Sequence, residues 1–176
     1  MRPSSLLPIA LLLTACVEPR EPVELLDHGT WTVSDRDPWP AHAPEPIDCS
    51  ALAWSYETVG GSPSLEVRTG SCNYLVVEQE TVADALAGDV IQVRLWHYDL
   101  ISFEAATAHA ALRIGDVDVF DVEIPLPASE VVDAEMVVQE VTLSEDLPTG
   151  TPAVFHLHNH GENTWNLVEI SANPPE

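Results

Sequence analysis

His156-Leu157-His158-Asn159-His160 places three imidazoles within five residues. On a strand, residues two apart share a face, so the three rings line up on one side while Phe155 and Leu157 turn to the core. Neutral imidazole suits zinc, copper, nickel and iron, and a His-x-His pair on a strand is a two-point chelate. Glu162 follows closely and adds a carboxylate. The competing use of the same residues is polar alternation on a solvent-facing strand, with His160 shaping the turn. His97 continues the face of Ile91, Val93 and Leu95, which places it in the core as a hydrogen-bonded residue.

Trp96 and Trp165 offer flat surfaces for sugar stacking, with Arg94, Asn159 and Asn163 as polar partners; packing is the competing use of both indoles. Asp116, Asp118, Asp121 and Glu123 crowd oxygens of the kind calcium takes, without the glycine and final glutamate of an EF-hand loop. A divalent metal, zinc or calcium, is therefore the only cofactor these residues suggest. No G-x-S-x-G, H-E-x-x-H or dinucleotide fingerprint occurs. The carboxylates are too numerous for one pair to stand out as acid and base.

The positioning elements are strands. In the run from Val90 to Tyr98, Ile91, Val93 and Leu95 point one way and Gln92, Arg94 and Trp96 the other, the pattern of a half-buried strand. Gly115-Asp116 joins two apolar runs as a tight hairpin. Leu65 to Arg68, Tyr74 to Glu78, Glu135 to Leu143, Ala153 to Asn159 and Trp165 to Ser171 add further strands, and Thr81 to Leu86 holds the only helical hint. Eight or nine strands without intervening helices predict an all-β antiparallel sandwich of jelly-roll type over residues 28–173. Pro38, Pro40, Pro44 and Pro46 form a rigid loop laid over it.

Charge narrows the partners. The 176 residues carry 29 acids against six basic residues, all arginine, for a formal charge of -23. Without lysine there is no Schiff base and no phosphate-loop lysine. Such a field repels nucleic-acid phosphates, so nucleic acid is excluded as a partner.

Residues 1–15 carry one arginine, no acid and a short apolar stretch from Leu6 to Leu13, too short to span a bilayer and typical of an export signal. Leu13-Thr14-Ala15-Cys16 resembles the lipobox of bacterial lipoproteins. That resemblance implies cleavage before Cys16, a lipid on its thiol and a membrane partner through the anchor. Val17 stands where the enteric retention signal has aspartate, which by the same resemblance implies the outer membrane of the bacterial envelope. Residues 16–27, rich in proline and glutamate, read as an extended tether. Cys49 and Cys72 then form an even pair in an oxidising compartment, and a disulfide is expected, closing a loop of about two dozen residues.

Ala87-Gly88-Asp89-Val90-Ile91-Gln92-Val93, together with the closing hairpin from Phe155 to Trp165, resembles a galactose-binding-like jelly roll, a fold shared by many carbohydrate-binding modules. Gly150, His156, His158 and Glu162 are similar to the first metal motif of cupins, G-x5-H-x-H-x3-E. The motif's closing glycine is replaced by Glu169, and no second motif follows. These features predict a lipid-anchored extracytoplasmic binding module, non-catalytic, with carbohydrate as ligand. The alternatives are a metal-binding protein or metal-dependent enzyme using His156, His158 and His160, and a structural envelope protein with protein partners.

Overall fold

The computed structural model describes residues 20–44, 46–160 and 163–175. The segment expected to be an export signal, Cys16 and Glu162 lie outside them. Thirteen strands follow in chain order among these residues. They are β1 (Val23–Glu24), β2 (Thr32–Val33), β3 (Trp54–Val59), β4 (Ser62–Arg68), β5 (Tyr74–Glu80), β6 (Val90–His97), β7 (Leu100–Ile101), β8 (Ala106–Ile114), β9 (Val117–Leu126), β10 (Val131–Val132), β11 (Glu135–Thr142), β12 (Pro152–His158) and β13 (Thr164–Asn173). Four of these are two-residue pieces, and of the nine longer ones the sequence pattern marks all but β3.

One large sheet runs β11-β6-β13-β4-β3 with β1 added on β13; the other large sheet runs β2-β5-β12-β8-β9, and β7 and β10 pair separately. The eight strands β4, β5, β6, β8, β9, β11, β12 and β13 distribute between the sheets in the order of two Greek keys, which is the jelly roll. All pairings within both sheets are antiparallel. The hairpin between β8 and β9 turns at Gly115, whose φ of 59° suits the first position of a two-residue primed turn.

The core is the layer between the two inner faces. Ile91, Val93 and Leu95 of β6 and Trp165, Leu167 and Ile170 of β13 meet Leu75 and Val77 of β5, Phe155 and Leu157 of β12, and Leu112 and Phe120 of the β8–β9 hairpin. His97 sits on this inner face as the alternation predicts. It is buried, its Nδ1–H donates to the Tyr98 carbonyl at 2.9 Å, and its ring lies 5.1 Å from that of Trp165.

Residues 20–27 pack on the sandwich instead of forming the extended tether that their proline and glutamate content suggests. β4 pairs with β13 only over Thr164 to Leu167; past a bulge the remaining edge of β13 is open, and β1 fills it. An open edge invites such a strand, and Leu25 and Leu26 then enter the core. Arg20 pairs with the buried carboxylate of Asp89, which also accepts the Leu86 N–H at 2.8 Å. The domain therefore begins by residue 20 rather than 28.

The proline segment folds back over the outer face of the five-stranded sheet. Cys49 and Cys72 are joined as a disulfide across 23 residues and hold its far end to β5. In the chain-entropy account a loop of this size is worth roughly 3 kcal/mol. The variant C49A/C72A is therefore expected to unfold at lower denaturant, with about that loss of stability in equilibrium urea melts. An unchanged midpoint would mean that packing alone secures the segment.

Candidate functional site

The sandwich presents two outer faces of different character. On the six-stranded sheet, register places Met136, Trp96, Asn166, Glu66 and Ser55 in one row across β11, β6, β13, β4 and β3. The next row holds Val138, Arg94 and Glu169. Trp96 is half-buried and meets Tyr98, 49% exposed, edge-on at 6.0 Å. Between Trp96 and Glu66, Asn166 is fully buried, accepting at its Oδ1 from Ser64 at 3.5 Å. Its amide nitrogen has no partner in the protein. Arg94 donates to Glu169 at 3.2 Å and Gln92 to Glu140 at 2.7 Å. Beside the β13 bulge a hollow of about 300 Å³ opens, lined by Glu24, Leu26, His28, Ser62, Val168 and Glu169. Burial, and then the neighbouring Glu169, push the Glu24 carboxyl above its ordinary range. This face thus offers an aromatic pair flanked by planar hydrogen-bonding groups.

Of the five polar and aromatic residues expected to share a ligand, only Arg94 and Trp96 lie on this face. Trp165 is one residue out of phase: it pairs with His97 rather than Trp96, and its ring is fully buried in the core. A single step along a strand exchanges faces. Asn159 and Asn163 are also buried and serve the β12–β13 connection. Asn159 donates to Thr69 Oγ1 at 2.9 Å, and the Asn163 Oδ1 accepts the Ile101 N–H at 3.1 Å.

The second outer face belongs to β5, β12, β8 and β9. Tyr74, His158, His109 and Glu123 form one row, and Val76, His156, Ala111 and Asp121 the next. His156 and His158 do share a face, as their spacing predicts. That face is not open to solvent: His156 is fully buried. The proline segment covers it, with Trp39 5.7 Å from His156 and 6.1 Å from His109. A single carboxylate clasps the cover: Asp37 accepts from Tyr74 Oη, from His156 Nδ1 at 3.1 Å and from its own segment's Trp39 N–H at 2.9 Å. Arg113 adds a cation–π contact, 5.1 Å above the Trp39 ring. His160 follows β12 with its ring 4.7 Å from that of His158.

Two histidines that local pattern did not single out, His109 and His42, join this cluster. Alternation along Ala108, Ala110 and Leu112 already points His109 away from the core, but only the strand order brings it opposite His158. The acidic stretch disperses instead of gathering: Asp118 binds Arg113 at 2.6 Å and Asp121 binds His109 at 3.0 Å. Among the described residues no three His, Cys, Asp or Glu side chains converge in metal-holding geometry.

No family model matches the chain, and no curated protein does. Among solved structures it is similar to a mannan-recognising carbohydrate-binding module, TmCBM27, at 10% identity over 90% of this chain and 98% of that one, TM-score 0.49. It is similar to TmCBM61 in complex with β-1,4-galactotriose at 10% identity, over 87% and 99%, TM-score 0.45. It is also similar to a Stig cyclase from Fischerella sp. at 12% identity, over 74% of each, TM-score 0.41. The jelly-roll assignment rests on the strand order itself.

Burial, opposed by Asp37 and reinforced by His109, lowers the His156 pKa to about 4. Burial, then His160, lowers that of His158 to about 4. Burial lowers His28 as well. A histidine that accepts its proton less readily when folded costs the native state stability as pH falls below about 6.5, and the loss levels off near the folded value. For the fully buried His156 this amounts to about 2 kcal/mol between pH 7 and 5. Thermal melts are expected to drop by several degrees over that interval, where the ion-paired Asp89 and Glu78, both held below their ordinary pKa by arginine, stay charged. A melting temperature that is flat from pH 7 to 5 would contradict the buried, neutral state of these rings.

Proposed function

We propose that the chain is a lipid-anchored, extracytoplasmic and non-catalytic module that binds a neutral carbohydrate on the outer face of its six-stranded sheet. The observation that carries this reading is the Trp96 ring, set edge-on against the exposed Tyr98 on the outer face of that sheet. The partly exposed edge of the indole, with the Tyr98 ring beside it, gives an apolar surface for the C–H face of a pyranose. The Arg94–Glu169 and Gln92–Glu140 pairs flank it with donors and acceptors already oriented. A formal charge of -23 disfavours uronate-rich or phosphorylated polymers, so the ligand is uncharged.

The anchor belongs to the same reading. Leu13-Thr14-Ala15-Cys16 supports lipidation at Cys16, and the described domain starts within a few residues of it, which would hold the module close to its membrane.

Two outcomes test these statements. On an array of neutral glycans that includes mannan, β-1,4-galactan and β-glucan, the protein should be retained by at least one, and Trp96→Ala should weaken that binding about tenfold or more, since an aromatic anchor of this kind carries about 2 kcal/mol. Retention of none, or undiminished binding by Trp96→Ala, would reject the ligand. Separately, mass spectrometry of membrane-extracted protein should find acyl chains on an N-terminal Cys16. A mature form beginning elsewhere, or bearing a free Cys16 thiol, would reject the anchor.

A further inference from the structure

Five of the seven histidines, His42, His109, His156, His158 and His160, gather on the covered face of the smaller sheet, opposite the face assigned to carbohydrate. Ring centroids lie 3.9 Å apart for His42 and His109, 4.9 Å for His109 and His156, and 6.0 Å for His42 and His156. Two of these rings are held from behind by carboxylates. His156 donates from Nδ1 to Asp37, and His109 donates from Nε2 to Asp121. A neutral imidazole carries one N–H and one lone pair. The two hydrogen bonds therefore put the lone pairs on His156 Nε2 and His109 Nδ1. Both atoms are buried and have no partner in the protein, and His158 Nε2 is in the same condition.

Buried polar atoms are ordinarily satisfied, so three unpaired imidazole nitrogens in one cluster need a reason. A carboxylate behind the ring, fixing its tautomer and raising its basicity, is how proteins prepare a histidine to ligate a metal. We propose that His42, His109 and His156 form a binding site for a divalent transition metal of the zinc or copper type. His42 is the moving part. It now lies flat on His109, 19° from parallel, and to ligate it must turn edge-on, because three ligating nitrogens do not yet converge. It is half-buried on the short 3-10 turn Pro40–His42. His158 stands at the rim as a fourth imidazole. A nitrogen-only set selects late first-row ions over calcium or magnesium, which take oxygen.

This site would tie the proline segment to the sheet through the metal, in addition to Asp37, and it stands or falls independently of the carbohydrate reading. The test uses untagged mature protein, stripped with chelator and titrated at pH 7.5. Calorimetry should show one equivalent of Zn(II), with no uptake of Ca(II) or Mg(II). Cu(II) should give an electron paramagnetic resonance spectrum with imidazole nitrogen couplings. His42→Ala lies on a partly exposed turn and should fold, with an unchanged circular dichroism spectrum and Zn(II) affinity weakened at least tenfold. Absence of stoichiometric Zn(II) and Cu(II) binding, or wild-type affinity in His42→Ala, would overturn the proposal.

Discussion

A strand has two faces, and a sandwich can bury only one of them in its core. In this protein every consequence of interest follows from that constraint. Most apolar residues of the long strands go to the layer between the sheets. Each outer face is then left with the alternate residues, and the two faces resolve the problem differently. The six-stranded sheet leaves its outer face polar, with an indole, an arginine and a buried amide set side by side by register. The five-stranded sheet places imidazoles and a tyrosine there and covers them with a segment of the chain.

The cover depends on a few polar contacts. Asp37 gathers the Tyr74 hydroxyl and the His156 ring into one clasp, and the disulfide at Cys72 prevents the far end from leaving. Under it the histidines lose water, which is why His156 and His158 resist protonation. Among the described residues no such segment passes over the open face, and Tyr98 and Val138 remain exposed at its edge. One face thus has the character of a surface for an external ligand, and the other that of an internal junction whose polar groups must find partners within the molecule.

Much of this is written locally. The period of two along Val90 to Tyr98 assigns Trp96, Arg94 and His97 to their faces, and the spacing of His156 and His158 puts them together. The two cysteines that remain once Cys16 is read as a lipid site point to Cys49–Cys72. What local pattern does not carry is adjacency between strands far apart in sequence. Nothing near His109 says that β8 lies beside β12, and nothing near Trp165 says that it pairs with His97 instead of Trp96. Composition also misleads where a few residues outweigh their neighbours. Pro22 and Glu24 read as tether, yet Leu25 and Leu26 draw the segment into the core because β13 has an open edge for β1.

On the proposed function the open face, and not the covered one, receives an external ligand. The five tryptophans report on this directly, because they sample every environment: Trp31 and Trp165 the core, Trp39 the cover, Trp54 an edge strand and Trp96 the open face. In a ¹⁵N-indole nuclear magnetic resonance titration with a glycan that the protein retains, the Trp96 signal should move progressively to saturation while those of Trp31, Trp39 and Trp165 stay in place. A titration in which Trp39 moves and Trp96 does not would put the ligand at the histidine face and contradict the account.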